Sequence, residues 1–275
     1  MSLNALPYPG EYALATGTTA VRRLQVLHNI YSPVGRRVLL QAGLKNGMRV
    51  ADFGCGVGLV SRMLAEIVGP SGSVTGIDLS AAQLEQARAL CKRERLTNTH
   101  FVEASAYNTG LERGSFDLVY CRFLLLHLTD PAACLREMRD LLRPGGVLVV
   151  EDGDLTSATS VPPTALDAFA DLFGRLGPTR GLDYTLGSNL YQLVVGTEFS
   201  NASLEVHQPA VLKGENRYLL KWSVEEAGRA FVDAGLITWA ELDRTLLEMQ
   251  EAIENPGVIV LMPRMSLVWA RKALS

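Results

Sequence analysis

The stretch that most constrains this chain is Val50-Ala51-Asp52-Phe53-Gly54-Cys55-Gly56-Val57-Gly58. A short, mostly apolar strand runs into a turn with glycines on alternate positions. Leu59, Val60, Met63, Leu64 and Ile67 then recur at the spacing of a helix with one face on a core. The glycines let the backbone approach a ligand closely, and the start of the helix presents free N–H groups. Strand, glycine turn and helix in this order form the entry to a nucleotide-type site.

Strand and helix keep alternating after this unit, the pattern of a parallel sheet. Segments 73–78, 99–103, 116–121 and 147–150 read as strands. Ser80 with Gln83 is a capping-box pattern for the helix running to Arg95, and Asp130-Pro131 opens the helix through Leu142. Ahead of the first strand the spacing predicts two helices, one from Thr19 through Ile30 and one after Pro33 ending at Gly43 or Gly47. Beyond Gly153 helices are expected around 164–177, 186–197, 223–235 and 238–254, with late strands at 203–207 and 266–271. Ser223 with Glu226 and Thr238 with Glu241 have the spacing of helix-opening capping boxes. The expectation is one domain over 1–275: an N-terminal helical lid at 1–45, a cofactor-binding core at 46–155, and cap helices with the last two strands at 156–275.

Composition narrows the partners. A formal net charge of −3 argues against nucleic acid, and the one dense basic run, Lys92-Arg93-Glu94-Arg95, sits at a predicted helix end where cations suit the dipole. With 48% apolar residues, the chain can bury its core without disulfides or metals. Cys55, Cys91, Cys121 and Cys134 lack C-x-x-C spacing and read as reduced thiols, with no metal site. No apolar run is long enough to span a bilayer, and the N-terminus lacks a signal peptide, so a cytoplasmic protein without a membrane partner is expected.

The ligand follows from two departures from a dinucleotide site. Leu59 stands where G-x-G-x-x-G needs its third glycine, and Asp52 would repel a pyrophosphate. A carboxylate there suits a ligand with an ammonium group. The pattern D-x-G-x-G-x-G resembles the first motif of the class I S-adenosylmethionine-dependent methyltransferases. Phe116 to Arg122 with Leu126-His127-Leu128, and Arg143-Pro144-Gly145-Gly146, resemble later family segments in order over roughly 45–155. Leu186-Gly187-Ser188, His207-Gln208-Pro209, Gly214-Glu215 and Pro263-Arg264-Met265 are similar to a bacterial small-molecule branch, of the ubiquinone and menaquinone type. The resemblance implies an α/β, Rossmann-like, seven-stranded, mostly parallel sheet with an antiparallel C-terminal strand. It also implies S-adenosylmethionine as cofactor, S-adenosylhomocysteine as product, and methyl transfer to an oxygen, nitrogen or carbon of a small organic molecule.

Carried onto this sequence, the resemblance gives Asp52, Gly54, Cys55 and Gly56 to the cofactor, with Gln83 at the next helix start. Asp78, twenty positions after Gly58, would accept the ribose hydroxyls, and Leu79 would cover adenine. Ser105 stands where the family commonly has an Asp, and the Ala106 N–H would reach a ring nitrogen. Arg122 would take the methionine carboxylate, or its backbone the ammonium, and Tyr12 and Arg23 would close from the lid. Methyl transfer needs alignment and exclusion of water more than a triad, and the sequence holds no triad. His127 is the candidate base, although the leucines around it favour a structural histidine. Glu151, Asp152 and Asp154 could face the substrate. Phe169, Phe173, Tyr184, Tyr191, Tyr218 and Trp222 make the cap suit a small, partly hydrophobic acceptor. The rivals are an NAD-linked oxidoreductase and a non-catalytic S-adenosylmethionine-binding protein. The residues leave the oligomeric state open, a homodimer included.

Overall fold

The computed structural model describes residues 18–274. The chain opens with α1 (Thr18–Ala42), one continuous helix with Pro33 inside it rather than two helices divided there. Proline removes one helical hydrogen bond, but Val26, Ile30 and Tyr31 before it and Val38, Leu39 and Ala42 after it are all buried on the same core. Packing on both sides of the break outweighs the local preference.

The alternating section then supplies β1 (Arg49–Phe53), α2 (Leu59–Val68), β2 (Ser73–Asp78), α3 (Ala81–Arg93), β3 (Thr99–Glu103), β4 (Phe116–Arg122), α4 (Pro131–Leu141) and β5 (Leu142–Asp154). After it come β6 (Thr159–Val161), α5 (Ala168–Thr179), α6 (Leu190–Val195), β7 (Ser200–His207), β8 (Ala210–Val211), α7 (Leu219–Asp233), α8 (Trp239–Glu254), β9 (Ile259–Leu261) and β10 (Arg264–Arg271). The main sheet has seven strands in the order β3-β2-β1-β4-β5-β10-β7. Pairing is parallel from β3 to β5, and β10 inserts antiparallel between β5 and β7. This is the mostly parallel, Rossmann-like sheet with an antiparallel last strand that the resemblance implied. The small sheet β6-β9-β8 was not expected.

Local signals set most element ends. Ser80 Oγ accepts from the Gln83 N–H and Asp130 Oδ1 from the Ala133 N–H. Thr238 and Glu241 form a reciprocal capping box at α8. Ser223 and Glu226 do not cap. Helix α7 already runs from Leu219, so Ser223 Oγ donates back to the Leu219 carbonyl at 2.8 Å and Glu226 is free to pair with Arg23. All four cysteines are free and buried. Among the described residues no His, Cys, Asp and Glu cluster could hold a metal, and no helix is long and apolar enough to cross a membrane.

Candidate active site

Strand order reverses at β1, which has β2 on one side and β4 on the other. In an open α/β sheet a crevice forms at that point, outside the carboxyl ends of the strands. Here it is a cavity of about 770 Å³. The glycine turn forms part of its wall. Gly56 has φ +54°, and a Cβ there would come within 2.9 Å of Gln83 Oε1. At Gly58 a Cβ would come within 2.8 Å of Ala87 Cβ, so this glycine is what lets α2 close onto α3.

Asp78, at the end of β2, is tied to both neighbouring loops. Its Oδ2 accepts from the Gly56 N–H and its Oδ1 from the Ser80 N–H, each at 2.9 Å. Leu79 beside it is 56% exposed, an apolar side chain facing a crevice instead of a core. Gly54, Cys55, Gly56, Gln83, Ser105 and Ala106 also line the cavity. Ser105 Oγ accepts from the Tyr107 N–H at 3.2 Å, which fixes the loop after β3.

Asp52 stands elsewhere than expected. It is buried behind the glycine turn and is not among the lining residues, and its Oδ2 accepts from Ser61 Oγ at 2.6 Å. Burial pushes its pKa up to about 7, against the pull of the Ser61 hydrogen bond. The side chain braces β1 against α2. Glu151, Asp152 and Asp154 are likewise off the wall. They lie inside β5, buried, because the strand runs on to Asp154. Asp152 accepts from the Leu125 N–H at 2.8 Å and the Gly153 N–H at 3.0 Å, holding the turn that follows β4. Asp154 bonds Ser188 and Arg264.

Three arginines reach the cavity. Arg23 of α1 forms a buried ion pair with Glu226 of α7, which joins the N-terminal helix to the cap. Arg122 donates to Ser32 Oγ at 3.0 Å and lies 3.2 Å from His28 Nδ1. His28 has its pKa lowered to about 3, first by burial and then by Arg122, so its neutral ring can accept from the guanidinium. The third, Arg180, follows the end of α5. Pro178-Thr179-Arg180-Gly181 reads in sequence only as a turn, and nothing there signals a site. Phe123 and Leu124 were also missed. Phe123 takes φ +51° and packs edge-on to Tyr31 with ring centroids 5.3 Å apart.

His127 lines the cavity in the short turn after β4, with its ring edge-on to Tyr184 at 5.8 Å. Its pKa is lowered to about 3 by burial, then by Arg23 and Arg180. It is neutral at ordinary pH and weakly basic. Of the cap aromatics, Phe169, Phe173 and Tyr184 line the cavity. Tyr218 instead stacks on Trp222, and Tyr191 lies on the surface. Tyr12 lies outside the described residues.

A sheet of this order, with a glycine turn and an acid-ended β2 at its switch point, has a Rossmann-like architecture. Residues 51–150 match the family model described as a methyltransferase domain. The demethylmenaquinone methyltransferase of Lactococcus lactis is 33% identical over 158 residues, 57% of this chain and 60% of that protein. The first curated relatives are matched over only 36% to 60% of their own lengths. The YcgJ protein of Bacillus subtilis superposes with a TM-score of 0.57 at 17% identity, covering 86% of this chain and 96% of that one. Phosphoethanolamine N-methyltransferase 2 of Haemonchus contortus, solved with S-adenosyl-L-methionine, gives 0.54 at 17% identity, covering 92% and 52%. At these identities the structures show the fold alone. Over residues 51–150 the chain is similar to the methyltransferase domain family.

Proposed function

We propose that this chain transfers the methyl group of S-adenosylmethionine to an oxygen, nitrogen or carbon of a small organic acceptor. One observation carries the reading. A single cavity runs from the glycine turn, Asp78 and Leu79 to Phe169, Phe173 and Tyr184 of the cap.

The residues at the first end fit the cofactor. Each Asp78 oxygen already accepts one backbone N–H and retains a lone pair for a ribose hydroxyl. Exposed Leu79 offers an apolar face for adenine, and the Gly56 backbone leaves room that a Cβ would fill. Arg122, held by Ser32 and His28, keeps further N–H donors for the methionine carboxylate. S-adenosylmethionine, when bound, would supply an electrophilic methyl carbon on a sulfonium, with the thioether as the leaving group. The protein's share is to hold the acceptor in line and keep water out. Leu24 and Leu27 of α1 and Leu219 and Leu220 of α7 close the acceptor end with hydrocarbon. A His127 pKa near 3 makes it a weak proton acceptor, so its role is to shape the acceptor end.

Asp78→Ala tests the reading. It removes the charge-assisted contact to the ribose, and such hydrogen bonds are worth about 1.5–3 kcal/mol each. Affinity for S-adenosylhomocysteine should fall by about a hundredfold or more in calorimetric titration, with a cooperative melt retained. Unchanged affinity would overturn the ribose contact assigned to Asp78.

A further inference from the structure

The acceptor end of the cavity is hydrocarbon and aromatic except for a few polar groups, and their charges do not balance. Arg23 is neutralised by Glu226. Arg122 is engaged by Ser32 and His28, with the carboxyls of Asp52 and Glu151 acting on it from the sheet beneath. Arg180 is half-buried on the wall, and among the described residues its guanidinium makes no ion pair or hydrogen bond. Its neighbours are Tyr184 and His127, both of which feel its charge. Among the described residues the Tyr184 hydroxyl is buried without a hydrogen-bond partner, a donor left unanswered beside a cation left unanswered. Burying either without an acceptor costs free energy, and one anionic oxygen group would answer both.

We propose that Arg180 anchors the acceptor, and that the acceptor is a small hydrophobic molecule carrying an anionic oxygen group such as a carboxylate. The inference rests on the methyltransferase reading and deepens it. Phe169 and Phe173 receive the hydrophobic body, and the bidentate geometry of a guanidinium fixes the orientation of the anion. Arg180 sits on the cap rather than on the glycine turn, so it selects the acceptor and leaves the cofactor end untouched.

The test uses 2-naphthoate and its uncharged isostere 2-naphthamide as probes, titrated into the full chain saturated with S-adenosylhomocysteine. The acid should bind at least tenfold more tightly than the amide. Arg180→Gln should abolish that preference while leaving S-adenosylhomocysteine affinity and the melting temperature unchanged, and Arg180→Lys should restore part of it. Equal binding of the two probes, binding of neither, or a preference that survives in Arg180→Gln would overturn the role of Arg180 with the cofactor reading intact. Failure of the wild-type chain to bind S-adenosylhomocysteine at all would overturn the underlying reading, and this inference with it.

Discussion

Glu151 lies on β5 with its carboxyl against Gly35 of α1, and burial pushes its pKa from the ordinary 4.5 up to about 7, partly offset by Arg122 and then Tyr120. The sign of the consequence is fixed. Between these values the native carboxyl keeps its proton while the unfolded one has lost it, so the native state binds more protons and stability falls as pH rises. Glu151→Gln removes that titration. The loss of stability between pH 5 and pH 8, read from denaturant unfolding, should be smaller in the variant by about 3 kcal/mol at most. Identical slopes would show that Glu151 is ionised throughout. Its neighbours show how residue type alone misleads. Asp52, Glu151 and Asp154 look like ligand-facing acids in the sequence, yet β1 and β5 bury all three in the sheet. Which face of a buried strand meets a ligand is not written in an apolar run.

At the scale of elements, α1 is the piece that sequence divides and structure unites. Its Gly35 allows the helix to lie down on β5; a Cβ there would come within 2.5 Å of Glu151 Oε1. Gly35→Ala improves intrinsic helix propensity by about 1 kcal/mol, but the clash opposes it. The expected net effect is destabilisation by about 1–3 kcal/mol in chemical denaturation. A stabilised variant would mean that Glu151 moves aside freely. The long elements were legible because periodicity accumulates over many residues, and the Ser80, Asp130 and Thr238 caps were legible because their chemistry is local. β6, β8 and β9, with two or three residues each, carry no periodicity to read. Ser223 and Glu226 have capping spacing by coincidence; the ion pair with Arg23 gives Glu226 its role from 203 positions away in sequence.

At the scale of the molecule, the sheet brings Gly56 and Asp78 together at the switch point, and the cap closes the far side of the same cavity. The glycine-turn end of the cavity was legible because it is one contiguous motif followed by an acid at fixed spacing. The acceptor half was legible only as a stock of aromatic residues. Its decisive members come from α1, the turn after β4, the end of α5 and α7, which tertiary packing alone brings together. The account stands on what enters that cavity, and titration of the intact chain with S-adenosylhomocysteine, with NADH in parallel, addresses it most directly. The account predicts micromolar or tighter binding of S-adenosylhomocysteine, about −8 kcal/mol, and no comparable binding of NADH. Binding of NADH in its place, or of neither, would contradict it.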